Sequence, residues 1–201
     1  MSTANPYTVS SESARARLLD LIGELAVVRE RVILSSGKEA DFYIDLRRVT
    51  LHHEAAPLVG RVMLDLFARE GLLESVRAVG GLTLGADPVA TSILHTSAAM
   101  HALGQLESDP LDAFVVRKAN KAHGLQRRIE GPDTPGRSVI AVEDTSTTGG
   151  SVLTATEALA EAGASIAAVA VIMHRADESR EAVERAGYRY LAAYDLAELG
   201  L

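Results

Sequence analysis

The chain has 201 residues, of which 47% are hydrophobic and 23% charged, and its formal net charge is −7. A chain of this length can bury a substantial core as one domain. The absence of cysteine excludes disulfides and thiolate metal sites. The negative net charge argues against nucleic-acid binding, which requires a broad basic face. No segment reads as a secretion signal or as the roughly 20 apolar residues of a membrane span. We therefore expect one cytoplasmic domain over residues 1–201.

The hydrophobic pattern predicts helices and strands that alternate along most of the chain. Residues 10–30 read as a helix capped by Ser11 or Ser13, and residues 32–46 as an irregular strand, turn and strand. Residues 1–50 would thus form an N-terminal helix and a small hood. The later predictions are a helix over 54–70, a strand over 77–82, a helix over 86–100, strands over 113–117 and 138–143, a helix over 150–162, a strand over 166–174, a helix over 177–186 and a strand over 188–193.

Continuous apolar runs within this alternation indicate the fold class. The run IAAVAVIM, residues 166–173, has no polar position and is typical of a strand buried on both faces. Strands of this kind alternating with helices predict an α/β fold in which helices flank a parallel sheet. Ligands of such sheets bind beyond the carboxyl ends of the strands.

The segment VIAVEDTSTTGGS, residues 139–151, has two acids directly before a turn rich in hydroxyl groups and glycine. Successive backbone N–H groups at a helix start, with Gly149 and Gly150 allowing tight curvature, can hold a phosphate. The segment is neither a Walker loop, which requires Gly-Lys-Ser/Thr, nor a G-x-G-x-x-G fingerprint.

Glu143 and Asp144 would repel a phosphate placed on them, so we expect them to bind another part of the ligand. Carboxylates accept hydrogen bonds from sugar hydroxyls and stabilise a ring that becomes cationic at its anomeric carbon. A ribose 5-phosphate unit fits both halves of the segment. A helix-capping acid pair and a receiver-like phosphorylation site are the alternatives.

A second cluster is basic. The segment VVRKANKAHGLQRR, residues 115–128, contains five lysines and arginines, one histidine and no acid. A cationic loop of this kind could close over a polyanion such as pyrophosphate and exclude water. A solvated basic turn is the alternative.

Four motifs in order resemble those of the orotate phosphoribosyltransferases, within the type I phosphoribosyltransferase family. VIAVEDTSTTGGS is similar to the signature that binds phosphoribosyl diphosphate (PRPP), and RKANKAH resembles the R-K-x-x-K-x-H catalytic loop. LSSGKEADFYIDLRR, residues 34–48, resembles the N-terminal S-G-x-x-x-x-[YF]-x-[DN] segment. Arg175 lies where the family has an arginine that contacts orotate. The resemblance spans residues 34–175.

The resemblance implies transfer of ribose 5-phosphate from PRPP to orotate, giving orotidine 5-phosphate and pyrophosphate in pyrimidine biosynthesis. It implies Mg²⁺ carried mainly by PRPP and water rather than by a protein metal site, and a homodimer that shares the basic loop between subunits. The catalytic residues implied are Lys118, Lys121, His123 and Asp144. The PRPP-binding residues implied are Arg117, Lys118, Lys121, His123, Glu143, Asp144, Thr145, Ser146, Thr147, Thr148, Gly149, Gly150 and Ser151. The orotate-binding residues implied are Thr147 and Arg175.

The sequence departs from many relatives at two positions. Ser35 stands where they have a lysine before Ser-Gly, and Leu84 stands where they have the lysine of Lys-Gly in the pyrophosphate loop. The backbone over residues 82–85 can still approach the pyrophosphate, so Ser35, Lys38 and Leu84 receive no catalytic role here.

Two other functions remain open at this level. One is a phosphoribosyltransferase for a purine or another pyrimidine, against which the basic motif and Arg175 argue. The other is a regulator that senses PRPP or a nucleotide without catalysis, which would have no need of the basic segment.

Overall fold

A sheet of six strands runs through the part of the chain that the computed structural model describes, namely residues 5–29, 32–33, 39–40, 42–118 and 128–201. In spatial order the strands are β10 (Tyr190–Asp195), β9 (Ser165–His174), β8 (Ser138–Ser146), β5 (Ala78–Leu82), β6 (Asp112–Val116) and β7 (Ile129–Glu130). Every neighbouring pair is parallel except β6 with β7. The predicted α/β class with a parallel sheet is confirmed.

Helices flank this sheet on both faces. They are α1 (Ser11–Leu25), α2 (Arg47–Thr50), α3 (Ala55–Arg69), α4 (Ala86–Ala102), α5 (Gly150–Glu161) and α6 (Asp177–Arg185). Ile140 and Val142 of β8 pack into the core beneath α1, α3 and α4, whereas Val139 and Ala141 pack into the core beneath α5. Alternate residues of one strand thus enter opposite cores, as a strand period of two requires.

The N-terminal segment forms two small antiparallel pairs. Strand β1 (Val27–Val28) pairs with β4 (Tyr43–Ile44), and β2 (Val32–Ile33) pairs with β3 (Glu39–Ala40). The prediction of one helix to residue 30 is wrong in its end, because the residues after Leu25 pair with β4 instead. The predicted cap is also wrong, since Ser10 accepts the capping hydrogen bond from the Ser13 backbone at 3.2 Å.

Two strand boundaries differ from the sequence prediction for a tertiary reason. Strand β8 continues to Ser146 instead of ending at residue 143, because its pairing with β9 extends to Ser146 opposite His174. Strand β10 is displaced to Tyr190–Asp195, because its register on β9 places Asp195 opposite His174. The short edge strand β7 was not predicted.

Strand order creates a crevice between β5 and β8. From β5 the chain goes through α4 to β6 on one side, whereas β8, β9 and β10 follow on the other side. Crevices at such switch points are where open parallel sheets bind ligands. The acid pair and the glycine-rich turn lie at this crevice.

Candidate active site

The crevice opens because the β5–β8 pairing stops before β8 ends. In the described register the last β5–β8 partners are Gly80 and Ala141, and β8 continues beside β9 alone. The loop after β5 therefore lies against the last residues of β8. A Cβ atom on Gly85 in this loop would overlap Glu143 Oε1 and lie 2.9 Å from Asp144 Oδ1. Glycine at this position lets the loop backbone meet both carboxylates.

The acid pair is partly withdrawn from water inside this crevice. Glu143 is only 6% exposed, and Asp144 is half-buried. The Asp144 backbone N–H donates to Glu143 Oε1 at 3.2 Å, and the Thr145 N–H donates to Asp144 Oδ1 at 2.6 Å. Both side chains are thereby held by the backbone of their own strand.

Burial sets the charge state of the pair. Burial, followed by repulsion from Asp144, raises the pKa of Glu143 to about 8. Burial also raises the pKa of Asp144, although the Thr145 N–H and the charge of Arg47 act in the opposite direction. Two adjacent buried carboxyls titrate as a unit, so a proton is retained on the pair near neutral pH.

A cation from the N-terminal segment lies near the pair. Arg47, the first residue of α2, binds Asp45 through two hydrogen bonds of 2.7 and 3.0 Å. Its charge also opposes the rise of the Asp144 pKa that burial causes. Sequence reasoning did not select Arg47, and the adjacent arginines of the N-terminal motif were the only signal for it.

The glycine-rich turn joins β8 to α5. Gly149 is the N-cap of α5, has a φ of 78°, and supplies no side-chain cap to this helix. The first backbone N–H groups of a helix have no intrahelical partner and attract anions. Thr147, Thr148, Gly150 and Ser151 are exposed, so this group of donors faces solvent, whereas Ser146 is buried.

Arg175 follows β9 and lies beside the start of this turn. Its backbone N–H donates to the Ser146 carbonyl at 3.3 Å. The side chain is half-buried, and its buried Nε has no hydrogen-bond partner among the described residues. A buried guanidinium N–H without a partner is costly and suits an incoming anion.

The basic segment begins at the same edge of the sheet. Arg117 follows β6, its Nη1 lies 3.6 Å from Glu130 Oε1, and its N–H donates to the Arg128 carbonyl at 2.8 Å. Lys118 is exposed. The predicted residues Lys121 and His123 lie outside the described residues.

The described predicted site residues all lie on β8, on the turn and first residues of α5 that follow it, or directly after β9 and β6. Gly85 was missed as a close neighbour of the acids, because its role depends on the meeting of two distant strands. No cluster of three acidic or histidine residues that could hold a metal occurs in the described ranges. Across the same ranges, every helix is too short or too polar to cross a bilayer.

Comparison with known proteins assigns the family. A family model described as Phosphoribosyl transferase domain matches residues 89–191. The orotate phosphoribosyltransferase of Streptomyces avermitilis is 57% identical over 191 residues, covering 94% of this chain and 99% of that one. The chain belongs to the orotate phosphoribosyltransferase family.

Solved structures of the family agree with this assignment. Orotate phosphoribosyltransferase of Mycobacterium tuberculosis H37Rv in complex with Fe(III) dicitrate matches with a TM-score of 0.80 and 50% identity. The same enzyme in complex with PRPP matches with a TM-score of 0.76 and 46% identity. Each alignment covers 94% of this chain and 99% of the other. Members of the orotate phosphoribosyltransferase family are pentosyltransferases, and the fold described above is theirs.

Proposed function

We propose that this chain transfers the ribose 5-phosphate unit of PRPP to orotate, giving orotidine 5-phosphate and pyrophosphate for pyrimidine biosynthesis. The bond between the anomeric carbon and the pyrophosphate oxygen breaks as an orotate ring nitrogen bonds to that carbon. The nitrogen loses its proton, and pyrophosphate departs with the electron pair of the broken bond. The observation that carries this proposal is the buried acid pair placed directly before an uncapped, glycine-rich helix start. Family membership and the PRPP complex of the tuberculosis relative support it.

The glycine-rich turn would hold the 5-phosphate. Thr147, Thr148, Gly150 and Ser151 are exposed and offer backbone N–H groups and three hydroxyls as donors. The positive end of the α5 dipole adds to this attraction. Because these contacts are equal in the ground state and in the transition state, they contribute to affinity more than to turnover.

The acid pair would act on the sugar. Asp144 and Glu143 can accept hydrogen bonds from the ribose hydroxyls. Their negative charge stabilises the ring more strongly as the ring becomes cationic. Burial in the crevice strengthens this effect, because water no longer screens the charges. Arg47 and the pair's own proton keep the ligand-free site from holding two uncompensated charges.

Arg175 would bind the orotate carboxylate. Its unpartnered Nε is a buried donor at the end of β9, next to the start of the phosphate turn. A planar guanidinium pairs with a carboxylate through two parallel hydrogen bonds. Thr147 directly follows Ser146, whose carbonyl accepts a hydrogen bond from the Arg175 N–H. We propose Thr147 as a second orotate contact.

The basic segment would stabilise the leaving group. Arg117 and Lys118 at the end of β6, with Lys121 and His123 further along the segment, supply positive charge for the departing pyrophosphate. The backbone over residues 82–85 would approach the same pyrophosphate, since Leu84 cannot contribute a charge.

We propose Mg²⁺ as the metal that accompanies PRPP. The two carboxylates of the crevice are hard oxygen donors of the kind that Mg²⁺ accepts, but they are too few to form a cage of their own. This donor set fits an ion bound mainly by PRPP and water, and Asp144 and Glu143 are the residues that would help to hold it. When bound, Mg²⁺ neutralises part of the phosphate charge.

We also propose a homodimer and a single catalytic domain in the cytoplasm. Leu51 and Leu84 are 74% and 72% exposed, and both line an apolar groove of about 630 Å³ between α3 and α4. Exposed leucines around a groove are typical of a surface that another protein covers. Because Leu84 belongs to the loop beside the acid pair, a second copy placed here would reach the active site.

The experiment that tests the activity is an assay of the purified protein with PRPP and Mg²⁺ against orotate, uracil, adenine, guanine and hypoxanthine. We expect PRPP-dependent consumption of orotate alone. Consumption of another base would assign the chain a different substrate, and binding of PRPP without turnover of any base would favour a regulator.

The shared loop is tested by mixing two inactive variants, Lys121→Ala and Asp144→Asn. If the basic segment of one subunit serves the acid pair of its partner, a hybrid dimer contains one intact site. Random exchange should then restore about a quarter of the wild-type activity. If mixing two variants that exchange subunits restores nothing, the segment serves its own subunit.

A further inference from the structure

Helix α6 lies against the glycine-rich turn although none of its residues belongs to the binding motif. Ser179 in its first half is fully buried, and its Oγ donates to Ser146 Oγ at 2.6 Å. Ser146 is the last residue of β8 and is itself buried. A hydrogen bond between two hydroxyls that water cannot reach has no solvent substitute when either partner is removed.

The same serine contacts the other end of the turn through its backbone. A Cβ atom built on Gly149 would lie 3.3 Å from the Ser179 carbonyl oxygen and 3.3 Å from Ala182 Cβ. Gly149 is also the residue that adopts a left-handed φ to begin α5. Ser179 therefore contacts the turn at both ends, by its hydroxyl at Ser146 and by its backbone at Gly149.

Further polar side chains surround this contact. The Ser179 hydroxyl also lies near that of Tyr190, whose pKa it acts to lower against the effect of burial, and the Tyr190 hydroxyl lies 3.1 Å from His174 Nδ1. His174 Nε2 lies 3.3 Å from Asp177 Oδ1 at the start of α6. These groups fix α6 to the ends of β9 and β10. Ser146 is also bonded through its carbonyl to the Arg175 backbone.

We propose that Ser179 is a positioning residue that holds the phosphate-binding turn in its binding geometry. The proposal rests on the proposed function of the turn as the 5-phosphate site. Ser179 acts on the ligand only through the turn: it fixes Ser146 and Gly149, which flank the exposed donors Thr147 and Thr148 and precede Gly150 and Ser151. Small displacements of such donors weaken binding strongly, because several hydrogen bonds to one phosphate must align together.

The test compares Ser179→Ala with Ser97→Ala, which removes the hydroxyl of another fully buried serine. Ser97 Oγ donates to the Leu94 carbonyl and accepts from the Leu111 N–H, at the edge of the sheet where β6 begins. We expect both variants to lower the melting temperature. Only Ser179→Ala should raise the KM for PRPP, by about 10-fold with kcat changed less than about twofold.

A binding measurement separates this inference from the activity. The Kd of ribose 5-phosphate, measured by titration calorimetry, should rise about 10-fold in Ser179→Ala and stay within about twofold in Ser97→Ala. If the wild type binds ribose 5-phosphate but transfers the phosphoribosyl unit of PRPP to no base, the proposed function fails and this comparison still applies. A wild-type Kd in Ser179→Ala, or an equal rise in Ser97→Ala, would overturn the positioning role.

The hydroxyl pair is tested by a double-mutant cycle with Ser146→Ala. If the two hydroxyls act only through each other, the double variant should bind ribose 5-phosphate no more weakly than Ser179→Ala. Losses that multiply would refute the pair. Should Ser179→Ala fail to fold, Tyr190→Phe removes the hydroxyl that lies near Ser179 and 3.1 Å from His174 Nδ1. This variant should raise the Kd about two- to threefold, and an unchanged value would count against the positioning role.

Discussion

Glu143 is 6% exposed, whereas Thr147 and Thr148 in the same segment project into solvent. The acid pair continues a strand, is buried by a loop from β5, and retains a proton through its raised pKa. The turn after it has exposed residues at a helix start without a side-chain cap, and α6 contacts it through Ser179. One short segment thus has two unlike halves. The acid pair is withdrawn from water and suits a charge that develops on the sugar, whereas the turn is solvated and suits the permanent charge of a phosphate.

This difference implies a division of labour between turnover and affinity. A charge that matters most in the transition state should change kcat when it is displaced, whereas a phosphate contact present throughout should change KM. Glycine-to-alanine substitutions can separate these effects, because Gly85 contacts the acid pair and Gly149 lies in the turn against α6.

The largest effect is expected for Gly85→Ala. The backbone of Gly85 is helical, with φ −60° and ψ −43°, so alanine causes no backbone strain. Its methyl group would displace the Glu143 carboxylate and crowd Asp144. We expect kcat to fall about 100-fold with a stable fold, as for loss of one electrostatic contact in an active site. Steady-state kinetics and a melting curve test this, and wild-type turnover would remove the acid pair from catalysis.

A smaller effect of the other kind is expected for Gly149→Ala. A φ of 78° is strained for alanine, and the new Cβ atom would lie 3.3 Å from the Ser179 carbonyl oxygen and from Ala182 Cβ. Both effects would distort the turn. The KM for PRPP should rise about 10-fold, with kcat nearly unchanged.

Gly104→Ala is the matched control for backbone strain. Gly104 follows α4 with a φ of 66°, and nothing lies within 4 Å of its would-be Cβ atom. The unfolding free energy of Gly104→Ala should fall by about 1 kcal/mol, a loss similar to that of Gly149→Ala. Its KM for PRPP should stay at the wild-type value. If both variants raise the KM equally, the contact of the turn with α6 is irrelevant to binding.

A third effect concerns the pH dependence of stability rather than the kinetics. The pKa of Glu143 is raised from its ordinary 4.5 to about 8, so the folded protein binds more protons than the unfolded chain between these values. Its unfolding free energy should therefore fall as the pH rises from about 5 to about 8, by an amount on the order of a few kcal/mol. Chemical denaturation of the ligand-free protein measures this slope.

Glu143→Gln should flatten the slope, because the amide cannot ionise. Glu157→Gln, at an exposed position of α5, removes the same charge outside the crevice and should leave the slope as in the wild type. Parallel pH profiles for wild type and Glu143→Gln would show that the crevice does not shift the titration of the pair.

Several features of the fold and site were accessible from local sequence. The order of strands and helices follows from apolar runs such as residues 166–173, since a buried strand excludes polar residues. The start of α5 follows from the adjacent glycines, because only glycine enters the left-handed region at little cost. The adjacent acids and the basic segment were visible as residue types, and their resemblance to the family carried the functional assignment.

Other features depended on residues far apart in the chain. The end of β8 at Ser146 was decided by its pairing with β9, and the burial of Glu143 by the approach of Gly85. The contact of Ser179 with Ser146 joins residues that no local pattern relates. The amino-acid sequence alone therefore determined which chemical groups the protein carries and the elements that contain them. Only the tertiary structure decided which groups are withdrawn from water and what holds them, because burial and alignment arise where distant strands and helices meet.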